Sequence, residues 1–284
     1  MPMPKTIFFK CPSCQEPLTK ENRSYRCTNN HTYDEAKEGY VNLLLAQHKK
    51  SKNPGDNDEM IKSRQAFLNR GYYHALSSAI VKMIASTERG FNQSILDIGC
   101  GEGYYMDEIK KASDKVEGEL TLCGIDISKT AVKLAAKRKM NALLSVSSAY
   151  DLPFFDNNFH TILSVFSPVS ASEIGRVMRD EERQIIMVGP AEEHLKGLTT
   201  HIYDEVLPHK GNYSVLDEEK SFMLQEQIEI KEEITVNKEN ILDLLRMTPY
   251  YWQTTVEIKE KILTLDELQT TIHFYIKVYK KTNG

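Results

Sequence analysis

Residues 94–104, SILDIGCGEGY, constrain the fold of this chain most strongly. Residues 95–98 are apolar apart from Asp97, which is typical of a short buried strand, and a helical pattern begins near Tyr105. Between them, glycine alternates with other residues at positions 99, 101 and 103. Glycine is needed where a backbone bends sharply or contacts a ligand. A strand, a glycine turn and a helix in this order indicate a cofactor loop at the edge of a parallel sheet.

The glycine spacing and two acids indicate which cofactor this loop binds. Dinucleotide loops have Gly-x-Gly-x-x-Gly and hold a pyrophosphate, whereas Gly99, Gly101 and Gly103 follow Gly-x-Gly-x-Gly. Asp97, two residues before the first glycine, favours a cationic or hydroxyl-rich ligand such as S-adenosylmethionine. Asp126 ends the next strand-like run and can hold both ribose hydroxyls, but NAD enzymes place an acid similarly. NAD binding and a glycine turn without a ligand remain the alternatives.

A second strong pattern lies near the N-terminus and contains three cysteines and one histidine. Its spacing is Cys-x2-Cys-x12-Cys-x3-His, formed by Cys11, Cys14, Cys27 and His31. Three thiolates and an imidazole fill all four positions of a structural zinc site, so we predict one structural zinc ion per chain. So short a segment buries little apolar surface, and a metal supplies the missing stability. Unrelated thiols are the alternative. The remaining cysteines, at 100 and 123, are expected to pack as small apolar groups.

Composition and charge restrict the class of protein. With 284 residues the chain can form one large domain and a small one. The net charge of −4 does not indicate a nucleic-acid-binding protein, but residues 1–52 contain nine Lys and Arg against five Asp and Glu. We find neither a run of about twenty apolar residues nor the apolar core of a signal peptide, which predicts a cytoplasmic protein without a membrane partner. The odd number of cysteines, five, then favours thiolate chemistry over disulfides.

Periodicity predicts alternating strands and helices from residue 94 onward. We predict a helix that Asp58 caps and a second one after Gly71. Ser128 is expected to cap a third helix. The other predicted helices are 104–113, 170–180 and 241–247, and the predicted strands are 94–98, 120–125, 142–146, 161–166 and 184–188, with 221–236 and 268–280 as an antiparallel end of the sheet. Repeated β-α units predict a parallel sheet with helices on both faces.

Several loops of this scheme are candidates for contacts with ligands. Residues 147–154 follow the third strand at the carboxyl edge, and residues 49–56 form a basic loop. The aromatic cluster 247–252 is either a helix-end staple or a surface for stacking bases. Tyr73 is a core aromatic by default, or a residue that closes over the cofactor. His194, after the fifth strand, is structural by default but can reach the cofactor from this edge.

The complete chain resembles one family, the RlmA-type 23S ribosomal RNA (guanine-N1)-methyltransferases. The residues that carry the resemblance are the four metal-ligand candidates, residues 34–44 (DEAKEGYVNLL), 47–49, 54–56, 97–105 and 247–249. The resemblance implies an α/β, class I (Rossmann-like) S-adenosylmethionine-dependent fold with a small N-terminal zinc-binding domain. It also implies methyl transfer from S-adenosylmethionine to N1 of a specific guanine in a 23S ribosomal RNA hairpin loop, and a homodimer. By analogy Tyr73 and His194 join the glycine loop at the cofactor.

We predict three domains and a set of cofactor residues. The domains are a zinc-ribbon-like domain at 1–45, a basic loop and helical linker at 46–93, and the methyltransferase domain at 94–284. The predicted cofactor residues are Tyr73, Asp97, Gly99, Gly101, Glu102, Gly103, Tyr104, Asp126 and His194. We assign no catalytic base; Ser167 and Pro168 are placed to line the methyl pocket.

Two alternatives to this function stay open. One is a class I methyltransferase for a small-molecule substrate, and the other is a non-catalytic zinc-ribbon protein that binds RNA. The zinc domain is expected to grip RNA, so removing the metal is predicted to weaken RNA binding and leave cofactor binding largely intact.

Overall fold

The computed structural model describes residues 9–48, 55–180, 183–203 and 215–282. Its first four strands form an antiparallel sheet in sequence order, and we call residues 9–34, which contain them, the ribbon. The strands of the ribbon are β1 (Phe9–Lys10), β2 (Pro17–Glu21), β3 (Ser24–Arg26) and β4 (Thr32–Asp34).

The other eight strands of the described residues form one large sheet. They are β5 (Val41–Asn42), β6 (Ser94–Ile98), β7 (Thr121–Asp126), β8 (Leu143–Val146), β9 (Thr161–Val165), β10 (Gln184–Pro190), β11 (Phe222–Asn237) and β12 (Glu267–Lys281). Their order is β11-β12-β10-β9-β6-β7-β8-β5. The pairs from β5 to β10 are parallel, and β12 and β11 add an antiparallel end. The carboxyl ends of the parallel strands therefore meet at one edge, where ligands bind in such sheets.

Helices cover the large sheet. They are α1 (Asp58–Asn69), α2 (His74–Ala85), α3 (Tyr104–Ser113), α4 (Lys129–Lys137), α5 (Ala171–Val177), α6 (Lys196–Thr199), α7 (Lys238–Arg246), α8 (Tyr250–Gln253) and α9 (Val256–Leu263), with a 3₁₀ turn at Ala46–His48. Ser128 caps α4 as predicted, because its side chain accepts the N–H of Ala131.

The two faces of the sheet pack against different partners. Side chains alternate along β6, so Ile95 belongs to a buried cluster with residues of α1 to α4 and α7, whereas Leu96 belongs to a second cluster with residues of α5 and the ribbon. Both faces are buried, which explains why all five positions of β6 are buried. The ribbon thus acts as a covering layer of the large sheet.

The structure confirms the parallel sheet, its antiparallel end and the element order that the sequence predicts, and it corrects three details. Asn57 caps α1 instead of Asp58, because the Asn57 side chain accepts the N–H groups of residues 59 and 60 at 3.0 Å each. The fourth strand ends at Val165, because Phe166 adopts a left-handed backbone with φ of 56°. The helix predicted to reach residue 180 ends at Val177, where Met178 turns to an extended conformation.

Two sequence predictions fall partly outside the described residues or stay untested. Residues 49–54 of the basic loop lie outside them. The domain boundaries stay a prediction, although β5 already pairs in parallel with β8 of the large sheet. Among the described helices, none is long and apolar enough to cross a bilayer.

Candidate active site and metal centre

The glycine loop joins β6 to α3 at the carboxyl edge of the sheet. Gly99, Gly101 and Gly103 have φ of 75°, 55° and 84°, a region that side-chain-bearing residues rarely adopt. A Cβ at Gly99 would stand 2.0 Å from Oγ of Ser167, so only glycine allows the loop that follows β9 to pack against this turn. The N–H of Gly99 donates to the carbonyl of Ile125 at 2.9 Å, which fixes the turn to β7.

Asp126, at the end of β7, is built into the same turn. Its Oδ2 accepts the N–H of Gly101 at 2.9 Å, and its Oδ1 accepts the N–H of Ser128 at 2.7 Å. Burial raises the pKa of Asp126 above its usual range. Asp126 therefore ties the glycine loop to the start of α4, and the structure brings it together with the glycines as predicted from sequence.

Asp97 is the most unusual group at this edge. It is only 2% exposed, and its Oδ1 has no hydrogen-bond partner among the described residues. Burial, together with the nearby Asp126, raises the pKa of Asp97 to about 8. A buried carboxylate without a partner is costly, and a positive charge placed next to it would stabilise its ionised form. This chemistry fits a cationic ligand.

Glu102 lies behind the glycine loop, where Arg138 at the end of α4 holds it. The Nε of Arg138 donates to Oε2 of Glu102 at 2.9 Å and to its carbonyl at 2.8 Å, and a second guanidinium nitrogen also contacts this carboxylate. The Nε2 of Gln65 in α1 donates to the same oxygen at 3.2 Å. The Glu102 side chain therefore fixes the loop from the helix side. Sequence reasoning missed Arg138 because a position 36 residues away gives no local signal.

Tyr104, the first residue of α3, also points to the helix side. Its hydroxyl lies 3.3 Å from Oγ of Ser77, and the guanidinium of Arg138 lies over its ring at 5.9 Å. Its contact with a cofactor stays a prediction.

Tyr73 and His194 contact each other. The Tyr73 hydroxyl lies 3.2 Å from Nε2 of His194, and Nδ1 of His194 accepts the N–H of His273 at 3.3 Å. Because Nδ1 is an acceptor, the neutral imidazole carries its proton on Nε2 and donates it to Tyr73. Both rings also pack edge-on or tilted against Phe274. This arrangement makes His194 a donor that orients Tyr73.

Phe166, the predicted last residue of the fourth strand, is an exposed aromatic at this edge. It is 42% exposed and has φ of 56°, which is uncommon for a bulky side chain. Its ring lies 6.4 Å from that of His194 with an angle of 29° between the planes, and 5.5 Å from that of Phe274. Such backbone strain tends to occur at functional sites.

The aromatic cluster at 247–252 has features of both predicted roles, the helix-end staple and the surface for stacking bases. Met247 and Thr248 are buried, as a helix-end staple requires, whereas Trp252 is 46% exposed. Two cations lie over the Tyr251 ring, Lys259 at 4.5 Å and Arg246 at 5.4 Å from its centroid. A basic, partly exposed aromatic surface suits contacts with nucleic acid.

The metal-ligand candidates of the ribbon come together as predicted. The ligand atoms of Cys11, Cys14, Cys27 and His31 all lie within 4.8 Å of one another. Sγ of Cys14 and Sγ of Cys27 are 3.6 Å apart, and Nδ1 of His31 lies 3.6 and 3.4 Å from the sulfurs of Cys11 and Cys27. Zinc bonds of about 2.0–2.1 Å to nitrogen and about 2.3 Å to sulfur give tetrahedral edges of about 3.5 Å between nitrogen and sulfur and about 3.8 Å between two sulfurs. The donor set therefore fits a tetrahedral metal ion.

Known protein families match both the ribbon and the domain that contains the glycine loop. Residues 9–52 match the family model "RlmA, N-terminal", and residues 95–184 match "Methyltransferase domain". The 23S rRNA (guanine(748)-N(1))-methyltransferase of Streptomyces fradiae is 34% identical over 67% of this chain and 66% of its own length. The chain belongs to the RlmA-type methyltransferase family. YxjB of Bacillus subtilis, whose name proposes 23S rRNA guanine-N1 methylation, is 27% identical over 92% of each chain.

A solved structure agrees on the fold. YcgJ of Bacillus subtilis has a TM-score of 0.50 and 16% identity, covering 74% of this chain and all of its own. The predicted fold class, a class I methyltransferase fold with an N-terminal zinc ribbon, is confirmed.

Proposed function

We propose that this protein transfers a methyl group from S-adenosylmethionine to N1 of one guanine in a hairpin loop of 23S ribosomal RNA. The observation that carries the proposal is the joining, in one chain, of the RlmA-type ribbon with a glycine loop that begins two residues after the unpaired Asp97. The names of the Streptomyces and Bacillus relatives supply the RNA and the guanine atom.

The cofactor proposal rests on the acids and the loop. A cationic or hydrogen-bond-donating ligand would stabilise the carboxylate form of the buried Asp97, and Asp126 presents a second acid beside Gly101. Glycines at 99, 101 and 103 let a ligand approach the backbone. S-adenosylmethionine, when bound, supplies a methyl group on an electrophilic sulfonium. The chain's own residues then orient the donor, and holding two reactants in line accounts for much of the rate in such transfers.

The metal proposal is one structural zinc ion per chain on Cys11, Cys14, Cys27 and His31. Four protein ligands close a tetrahedral site, so the metal has a structural role. The side chain of Asn29 forms a hydrogen bond that lowers the pKa of Cys14 to about 6, which favours the thiolate that zinc requires.

On the substrate side, Phe166 is the residue best placed to receive the base. It is 42% exposed and directly precedes Ser167, the residue whose side chain lies against Gly99 of the cofactor loop. Bases in RNA hairpin loops can be splayed out and stacked on aromatic side chains. We propose that Phe166 stacks on the target guanine while the His194–Tyr73 pair closes the other side of the pocket.

Three finer properties complete the proposal: the ribbon grips RNA, the protein forms a homodimer, and it acts in the cytoplasm. The first two are implied by the family resemblance, and the third is the expectation from the sequence. Light scattering coupled to size-exclusion chromatography tests the dimer, since a mass near that of one 32.6 kDa chain would exclude it.

An acceptor comparison tests the proposed function. The protein is incubated with labelled S-adenosylmethionine and either 23S RNA from a strain lacking the gene or a panel of small-molecule acceptors that includes quinones. We expect label in the RNA. Label in a small molecule alone would support the small-molecule alternative, and cofactor binding without any transfer would support the non-catalytic one.

A further inference from the structure

The ribbon is bonded directly to the loop that follows β8, residues 147–154. The N–H of Lys10 donates to the carbonyl of Pro153 at 2.8 Å, and Phe9 forms an antiparallel bridge with Phe154. The rings of Phe9 and Phe154 lie 5.4 Å apart, and both residues are almost completely buried. The end of this loop therefore pairs with β1 of the ribbon as an added segment of sheet.

The start of the same loop belongs to the cofactor edge. Ser147, its first residue, donates its N–H to the carbonyl of Asp126 at 3.0 Å. The neighbouring edge strand supports this position, because the N–H of Leu43 donates to the carbonyl of Val146 at 3.0 Å. One short loop thus connects the acid at the end of β7 with the ribbon.

A second support reaches the loop from α5. The guanidinium of Arg176 donates to the carbonyl of Phe154 at 2.6 Å and to that of Leu152 at 3.1 Å, while Glu173 accepts the N–H of Leu152 at 2.7 Å. These contacts join the loop to α5. The Phe154 ring also packs against Phe159 at 4.9 Å and against Phe9 of the ribbon at 5.4 Å, and the Phe9 ring contacts Tyr25 at 5.4 Å.

The metal centre is coupled to this contact by position. Cys11 follows Phe9 by two residues, and Cys11, Cys27, Phe9 and Phe154 all belong to one buried cluster. A segment as short as the ribbon depends on its metal for a defined fold. A metal ion that holds the four ligands therefore also holds Phe9 in its position against loop 147–154.

We propose that Phe9 and Lys10 of the ribbon are positioning residues of the cofactor site, which hold loop 147–154 in the conformation that binds S-adenosylmethionine. This inference rests on the proposed function. It gives the ribbon a role in cofactor binding besides RNA binding. The sequence alone predicts that metal removal leaves cofactor binding largely intact, whereas these contacts favour weaker binding.

The test is Phe9→Ala in the zinc-loaded full chain, with calorimetric S-adenosylmethionine binding in the absence of RNA as the readout. We expect the Kd to rise about tenfold, because the binding-competent loop becomes a minor population. Hydrogen exchange of amides 147–154 should become faster in the same variant. Phe9→Leu, which keeps an apolar contact with Phe154, should restore most of the affinity. Ile262→Ala in α9 is the matched control for lost stability, since it removes a fully buried side chain far along the chain from the loop.

The outcomes separate this inference from the proposed function. An unchanged Kd and unchanged exchange in a zinc-loaded Phe9→Ala protein would overturn the inference alone. If Phe9→Ala fails to retain zinc, the chelated wild-type protein gives the same measurement, and unaltered cofactor affinity after zinc loss would also overturn it. Failure of the zinc-loaded wild-type chain to bind S-adenosylmethionine would overturn the proposed function and the inference with it.

Discussion

Replacing Asp97 by Asn tests the role of the buried acid without changing its shape. Burial and Asp126 raise the pKa of Asp97 from 3.8 to about 8. Between these values the folded protein keeps a proton that the unfolded chain has lost, so stability falls as pH rises. The loss is about 1.4 kcal/mol per pH unit, or about 4 kcal/mol between pH 5 and pH 8, and it levels off above the folded pKa. Asp97→Asn removes this pH dependence of stability, because the amide does not titrate.

The same pKa predicts a proton change on cofactor binding. At pH 7 a group with a pKa of about 8 is about 0.9 protonated, and a cationic ligand drives it to the carboxylate, so binding should release about 0.9 proton. Asp97→Asn should abolish this release. It should also weaken binding by about 100-fold or more, because the ligand's charge would be buried without its partner.

Two measurements check these values. Urea unfolding of the cofactor-free protein from pH 5 to pH 8 gives the slope of stability with pH. Calorimetric titration in two buffers of different ionisation enthalpy gives the number of protons released. Asp114→Asn, a substitution at the exposed end of α3, is the control and should change neither. Equal slopes, equal proton release and equal affinity in wild type and Asp97→Asn would refute the assignment of Asp97 to the cofactor.

Three further predictions follow from the site. Arg138→Met removes the charged partner of the buried Glu102 and should lower the free energy of unfolding by about 3–5 kcal/mol. Arg138→Met combined with Glu102→Gln should cost much less, and equal losses in urea unfolding would mean that the pair does not hold the loop. Gly99→Ala should weaken cofactor binding and lower the free energy of unfolding more than Gly39→Ala does. Gly39 also has a positive φ, but a Cβ there would meet open space. Similar losses in the two variants would therefore exclude the clash with Ser167. Phe166→Ala should reduce kcat/KM for RNA by a factor equivalent to about 1–3 kcal/mol with cofactor Kd unchanged, while Phe166→Tyr retains activity; full activity of Phe166→Ala would remove the stacking role.

The parts of the fold that the sequence predicted well have strong local signals. β6 matches its predicted bounds, because an apolar run between polar residues and a glycine turn leaves little freedom in register. The four metal ligands were predictable for a similar reason, since thiolates and an imidazole at ribbon spacing leave few other uses.

The parts that it missed depend on contacts between distant segments. β5 has only two residues, so it has no periodicity, and it becomes a strand because β8 offers it a free edge. Asn57 and Asp58 are equally good caps in sequence, and the extended backbone at Asn57 decides between them. The contact of Arg138 with Glu102 and that of Phe9 with Phe154 arise only when the helices and the ribbon pack on the sheet.

The measurement that tests the central claim most directly is the mapping of the modified base. Ribosomal RNA from a strain lacking the gene is treated with the protein and S-adenosylmethionine, with Asp97→Asn protein as the control, and the product is examined by primer extension and mass spectrometry. A methyl group on N1 blocks base pairing, so we predict one new stop and one N1-methylguanine in a single hairpin loop of 23S RNA, both absent with Asp97→Asn. Unmodified RNA in the presence of wild-type protein with bound cofactor would contradict the proposed substrate.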